Sequence, residues 1–145
     1  MTTAPEPMDI LLVEDDENDV RITQRALLRS GLAVRLQVVR DGQEALDYLR
    51  GRPPFNDRPR PGLVLLDISL PKVNGMDVLR TVKADPELRP IPILMLTTAA
   101  HMSDVATAYA HGANSYLCKP IQYARFVEVM STLGEYWGSV ARVPT

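Results

Sequence analysis

Hydrophobic and polar positions alternate along this 145-residue chain in two rhythms. Four short runs are almost wholly apolar: Met8–Val13, Leu63–Leu66, Ile91–Leu96 and Tyr116–Cys118. Such runs predict strands covered on both faces, as in a parallel sheet. A fifth run, Val34-Arg35-Leu36-Gln37-Val38, alternates apolar and polar residues and predicts a half-exposed edge strand. Between the runs the spacing becomes helical. Residues 17–30 turn Val20, Thr23, Leu27 and Leu28 toward one side, with Gly31 as a stop. Asp41 can cap a helix over 42–50 that ends at Gly51. A third helix is predicted over Gly75–Ala84, closed by Asp85-Pro86. A fourth covers Ser103–His111, with Val105, Ala106 and Tyr109 at helical spacing and Gly112 behind it. The last covers 121–137, striped by Phe126, Met130, Leu133 and Trp137.

Strand and helix therefore alternate through five units. That order predicts an α/β fold, a doubly wound domain built on five parallel strands. Residues 1–8 are polar and contain proline, and read as a disordered lead-in. The domain is expected over 9–137, with 138–145 as a C-terminal tail. One connection stands out: Gly51–Gly62, GRPPFNDRPRPG, carries four prolines. It suits a stiff surface connection, the alternative being a partner-contacting loop.

Composition narrows the setting. The formal net charge of −2 gives no electrostatic reason to expect nucleic-acid or membrane binding. The single cysteine, Cys118, excludes an internal disulfide framework and a cysteine-based zinc site, and fits a reducing cytoplasm. No secretory leader is visible in MTTAPEPMD, and no apolar run is long enough to span a bilayer. About eight residues follow Trp137, so no attached output domain is expected. A cytoplasmic protein is expected.

Each buried strand breaks off at a polar residue. ILLV is followed by Glu14-Asp15, LVLL by Asp67, ILML by Thr97-Thr98, and YLC by Lys119. In a doubly wound sheet the C-terminal strand ends share one edge, where ligands bind. Carboxylates gathered at one spot repel, each close pair by about 4 kcal/mol at a surface-like dielectric. A hard divalent cation removes that repulsion. Oxygen-only ligands favour Mg2+ or Mn2+ over zinc. Lys119 adds a point charge suited to a phosphate oxygen, and Thr97 a hydroxyl donor. Together these groups suit phosphoryl transfer with Asp67 as nucleophile. Acids behind a strand also serve helix starts, and Asp16, Glu17 and Asp19 fit that role through the helix dipole. His101 and His111 read as surface residues of the fourth helix, and Cys118 as packing.

The pieces ILLVEDDEND, LVLLDISLPKVNG, IPILMLTT and YLCKP stand in this order over residues 9–137, and the chain resembles the receiver domain of two-component response regulators. Within that family it is most similar to single-domain regulators that serve phytochrome-type sensor histidine kinases. That likeness rests on VEDDENDVRI, the loop ending RPRPG, DPELRPIP, LTT and Tyr136-Trp137.

The resemblance implies a flavodoxin-like receiver fold with strand order 2-1-3-4-5 and five helices. It implies that Asp67 accepts a phosphoryl group from a kinase phosphohistidine. Mg2+, or Mn2+, would be held by Asp15, Asp67 and the Ser69 carbonyl, and by Glu14 through water. The backbone N–H groups of Ser69 and Thr98, with Lys119, would bind the phosphoryl oxygens. Thr97 and Tyr116 match the switch hydroxyl and switch aromatic, and the Lys119-Pro120 bond would be cis. Ser69 and Ala99 would tune hydrolysis of the phosphoaspartate. The family's acidic pair is often Asp-Asp; here it is Glu14-Asp15, with Asp16 left over.

The implied partners are a sensor histidine kinase and a downstream protein or phosphotransfer partner, with a homodimer possible through the face of the fourth helix, fifth strand and fifth helix. Tyr123, Val129 and Tyr136 would add apolar surface to that face. Beside this reading stands a degenerate receiver, binding proteins independently of phosphorylation. That form would typically have lost the nucleophile or the lysine, and Asp67 and Lys119 are both present. An aspartate-nucleophile phosphatase would need a second acid two residues after Asp67, where Ser69 stands.

Overall fold

The computed structural model describes residues 7–29, 33–98, 103–119, 122, 124–125 and 128–129. Its elements run β1 (Met8–Val13), α1 (Glu17–Arg29), β2 (Val34–Val39), α2 (Gly42–Leu49), β3 (Leu63–Asp67), α3 (Gly75–Ala84), β4 (Ile93–Thr97), α4 (Val105–Ala110) and β5 (Ser115–Cys118). All five strands are parallel, in the order β2-β1-β3-β4-β5. The expected sheet is thus the observed one. Residues 124–125 and 128–129 are helical. The rest of the helix expected over 121–137 lies outside the described residues, as do Gly31, Ala99, His101 and the Lys119-Pro120 bond.

The unbroken apolar runs follow from a core on each face. Along β1, Leu11 and Val13 point to one side, Ile10 and Leu12 to the other. Along β3, Val64 and Leu66 join the first group, Leu63 and Leu65 the second. The first core packs against α2 and α3 through Leu46, Leu49, Val78, Leu79 and Val82. The second packs against α1 through Val20, Ala26 and Leu27. A strand with period two and a core on both sides has no polar position left until it ends. β2, on the sheet edge, alternates as expected and stays half-buried over most of its length.

Several sequence expectations shift in detail. Leu28 is 81% exposed, because a helix turns 100° per residue and Leu27 already occupies the inner face. Val129, expected as surplus surface, is buried in the core on the α1 side. In α4 the buried residue is Ala108, whereas Ala106 and Tyr109 face outward and Val105 is half-buried. His111 is the half-buried C-terminal cap of α4, its backbone N–H donating to Thr107 and Ala108. Cys118 is exposed rather than packed: it is the last residue of the edge strand β5.

Local chemistry fixes the helix starts. Asp41 accepts a hydrogen bond from the Glu44 N–H (2.8 Å), as expected, while Glu44 accepts from the Arg40 N–H (2.8 Å). Asn74 caps α3 by accepting from the Asp77 N–H (3.0 Å).

The proline-rich connection is fastened along its length. Phe55 packs on Tyr48 with ring centroids 5.4 Å apart, and the Tyr48 hydroxyl donates to the Pro59 carbonyl (3.3 Å). Arg58 lies over the Phe55 ring and donates to Gln37 (3.1 Å), and Arg60 donates to the Glu87 carbonyl. These contacts fit the stiff connection. Lys83 braces the same end of the sheet, donating to the carbonyls of Arg89 (2.9 Å) and Ile91 (2.7 Å). Burial holds its pKa below the ordinary lysine value.

Candidate functional site

The strand register brings Val13 beside Leu66, Asp67 beside Leu96, and Thr97 beside Cys118. The residues that end these strands therefore meet at one edge. Asp67 closes β3 and is buried. Its Oδ1 accepts the Ser69 N–H at 3.0 Å, and its Oδ2 accepts from Lys119 Nζ at 2.8 Å. Glu14 follows β1, is completely buried, and touches the Lys119 ammonium through Oε1. That oxygen makes an ion-pair contact but accepts no well-formed hydrogen bond. Asp15, next along the chain, is exposed. One carboxylate oxygen each from Glu14, Asp15 and Asp67 lies within 4.8 Å of the others.

The electrostatics follow from this crowding. Burial, and then the neighbouring Asp67 carboxylate, push Glu14 up to about 8, although Lys119 pulls it down. Burial alone would lower the pKa of Lys119. The hydrogen bond to Asp67 and the close contact with the Glu14 carboxylate, with the charge of Asp67, outweigh that burial and hold the lysine well above its ordinary range.

A divalent cation fits this set. The ligand atoms are all carboxylate oxygens close enough to share one ion, and the buried Glu14 Oε1 accepts no well-formed hydrogen bond beyond its ion-pair contact with Lys119. Charge crowding is what such an ion relieves.

Thr97 is buried at the end of β4, and its hydroxyl donates to the carbonyl of Thr98 (3.2 Å). Tyr116 is half-buried on β5 and meets Tyr109 edge-on, with centroids 6.3 Å apart. Ser69 lies on the surface of the loop after β3. In that loop Lys72 takes a positive φ of 66° and reaches Asp41 at 3.6 Å.

The other acids of the first loop divide. Asp16 caps α1, accepting the Asp19 N–H at 3.0 Å. Glu17 pairs with Arg40 at 2.5 Å. Asp19, expected only as a helix-start residue, instead reaches into the site, with Oδ2 3.0 Å from Lys119 Nζ. The usable signal was helical spacing. Asp19 lies four residues before the buried Thr23 and next to the buried Val20, on the inner edge of α1.

A doubly wound sheet bearing a buried aspartate, an acidic pair and a lysine at its carboxyl edge defines a class, and the chain belongs to the response regulator receiver domain family, whose model matches residues 10–131. Receiver domains are phosphoacceptor signalling modules that partner sensor histidine kinases and bind Mg2+ or Mn2+ at an acidic cluster.

The chain is 40% identical over 141 residues to the probable methanogenesis regulatory protein FilR2 of Methanothrix harundinacea (strain 6Ac), covering 97% of this chain and 90% of FilR2. It is 35% identical over 138 residues to the response regulator Rcp1 of Synechocystis sp. (strain ATCC 27184 / PCC 6803 / Kazusa), covering 95% and 94%. Among solved structures, the bacteriophytochrome response regulator RtBRR superposes with a TM-score of 0.81 at 45% identity, over 88% of this chain and 78% of that one. The Mn(2+)-bound form of Rcp1 superposes with a TM-score of 0.77 at 36% identity, over 90% and 94%. Among the described residues no helix is long and apolar enough to cross a membrane.

Proposed function

We propose that Asp67 is the phosphoacceptor and that its donor is the phosphohistidine of a phytochrome-type sensor kinase. One observation carries the assignment of the residue. Asp67 is buried, and its two oxygens take one donor each, Ser69 N–H and Lys119 Nζ, beside the crowded carboxylates of Glu14 and Asp15. The names of Rcp1 and RtBRR support the kinase class. The unit would run over 9–137, between tails at 1–8 and 138–145, in a cytoplasmic setting.

In the transfer, a carboxylate oxygen of Asp67 forms a bond to phosphorus as the phosphorus–nitrogen bond breaks. The electron pair of that bond stays on the imidazole nitrogen, which takes up a proton. Lys119 and the backbone N–H groups of Ser69 and Thr98 receive the phosphoryl oxygens. Asp15, Asp67 and the Ser69 carbonyl, with Glu14 through water, would hold Mg2+, which when bound neutralises charge on the transferring group.

The adduct adds about −2 charge. That charge gives the Thr97 hydroxyl a stronger acceptor than the Thr98 carbonyl it uses now. Movement of Thr97 leaves space that Tyr116 can fill, which alters its packing on Tyr109 and so the α4–β5 surface. That surface, with the fifth helix, is the output face and the place for a homodimer or a downstream protein. Ser69 and Ala99 set how fast water returns the carboxylate. A phosphorylation-independent binding module is disfavoured, because Asp67 and Lys119 are both present and in contact.

The test is labelling by phosphoramidate with Mg2+. An acid-stable, base-labile adduct is expected on the protein and not on Asp67→Asn. Full labelling of Asp67→Asn overturns the assignment.

A further inference from the structure

Among the described residues three carboxylates surround the Lys119 ammonium, and one of them differs from the others. Glu14 and Asp67 belong to the oxygen cluster that fits a cation; Asp19 does not. Its Oδ2 lies 3.0 Å from Lys119 Nζ. Its position is held from two sides: its N–H donates to the Asp16 cap (3.0 Å), and its carbonyl accepts the Thr23 hydroxyl (2.9 Å). Asp19 thus offers the lysine a fixed counter-charge from α1, off the sheet edge.

From this geometry we infer that Asp19 is a positioning residue, which anchors the Lys119 ammonium beside Asp67 when the other two carboxylates are engaged elsewhere. The inference deepens the assignment of Asp67 and rests on it for its role in transfer. A lysine side chain has four rotatable bonds and a strongly hydrated head. Were Glu14 and Asp67 its only partners, an ion on those carboxylates would leave the ammonium free to swing out to water. Asp19 keeps one hydrogen bond on it throughout. A phosphoryl oxygen then meets an ammonium that is already in place, and less ordering remains to be done during transfer. Asp19 touches no reacting atom; it acts through Lys119.

Two readouts separate this role from a helix-dipole role at the start of α1. The first needs neither metal nor phosphoryl donor. In 15N-labelled, metal-free protein the Lys119 ζ-ammonium is expected as a slowly exchanging resonance. Asp19→Asn should speed its exchange about tenfold, the worth of one charge-assisted hydrogen bond, and Asp19→Glu should restore it. The second is a mutant cycle on phosphoramidate labelling. Asp19→Asn should slow labelling about tenfold in the parent protein and less than twofold in a Lys119→Met background. An unchanged ammonium resonance in Asp19→Asn overturns the inference. So does an equal labelling loss in both backgrounds. Either result leaves Asp67 standing, since that assignment fails only if Asp67→Asn still labels.

Discussion

Gly75 stands directly behind Asp67. A Cβ at position 75 would lie 2.0 Å from the Asp67 carbonyl oxygen and 2.7 Å from Ile68 Cα. The Gly75 N–H donates to the Ile68 carbonyl at 2.9 Å, so the start of α3 is pressed against the turn that aims the buried carboxylate. Backbone cannot give way as a flexible side chain can. Gly75→Ala should therefore cost about 1–3 kcal/mol of stability, read from urea unfolding. Folded Gly75→Ala should also label poorly, because any relaxation displaces Asp67.

Asp15 and Asp16 are neighbours with different partners. Asp15 shares the 4.8 Å cluster with Glu14 and Asp67, whereas Asp16 caps α1. Asp15→Ala should abolish the Mg2+ dependence of labelling. Asp16→Ala should barely change that dependence while costing about 1 kcal/mol of stability through the lost cap. Calorimetric titration with Mg2+ and thermal melts of both variants check this.

Glu14, pushed up to about 8, makes two pH predictions. In metal-free protein the folded state keeps a proton that the unfolded chain, with its ordinary value of 4.5, has already lost. The folded state thus binds more protons between those values, and this group's contribution to stability falls as pH rises through the window. Melts in chelator should show that slope, and Glu14→Gln should remove it. A cation must displace the same proton, so Mg2+ affinity should rise about tenfold per pH unit below that value and level off above it.

Phe55 tests the loop. It is half-buried against Tyr48, with Arg58 over its ring. Phe55→Ala should cost about 2 kcal/mol, below the usual range for a fully buried phenylalanine. Labelling at Asp67 should be unaffected. A selective loss of kinase-driven labelling would instead favour the partner-contacting reading of this loop.

The sheet was legible because its two cores leave a strong imprint. A central strand with apolar neighbours on both faces must be apolar throughout, so its ends are marked by the first polar residue. The same rule exposed Glu14, Asp67, Thr97 and Lys119. What sequence could not resolve lies where one turn of helix decides the matter. Leu27 and Leu28 are equally apolar, yet only Leu27 faces inward. Asp19 read as a dipole residue because its partner, Lys119, is one hundred positions away and is brought near by the crossing of β5. Cys118 ends a strand whose inner residue is Leu117, and alternation turned the thiol outward. Val129 gave no signal, since its partners lie on other elements.

The Lys83 brace fixes the end of the sheet that lies away from Asp67. At the entry edge of the sheet, Lys83, Arg60, Gly62 and Asn114 each bind backbone groups of neighbouring segments. At the exit edge the Thr97 backbone is also tied, its carbonyl accepting the Lys119 N–H, while its hydroxyl donates to the carbonyl of the adjoining Thr98 (3.2 Å). On the proposed switch, a charge placed beside Asp67 would turn the Thr97 side chain and leave that far end of the sheet in place. Its effect would pass sideways, from Thr97 on β4 to Tyr116 on β5, as a lever moves about its fixed end.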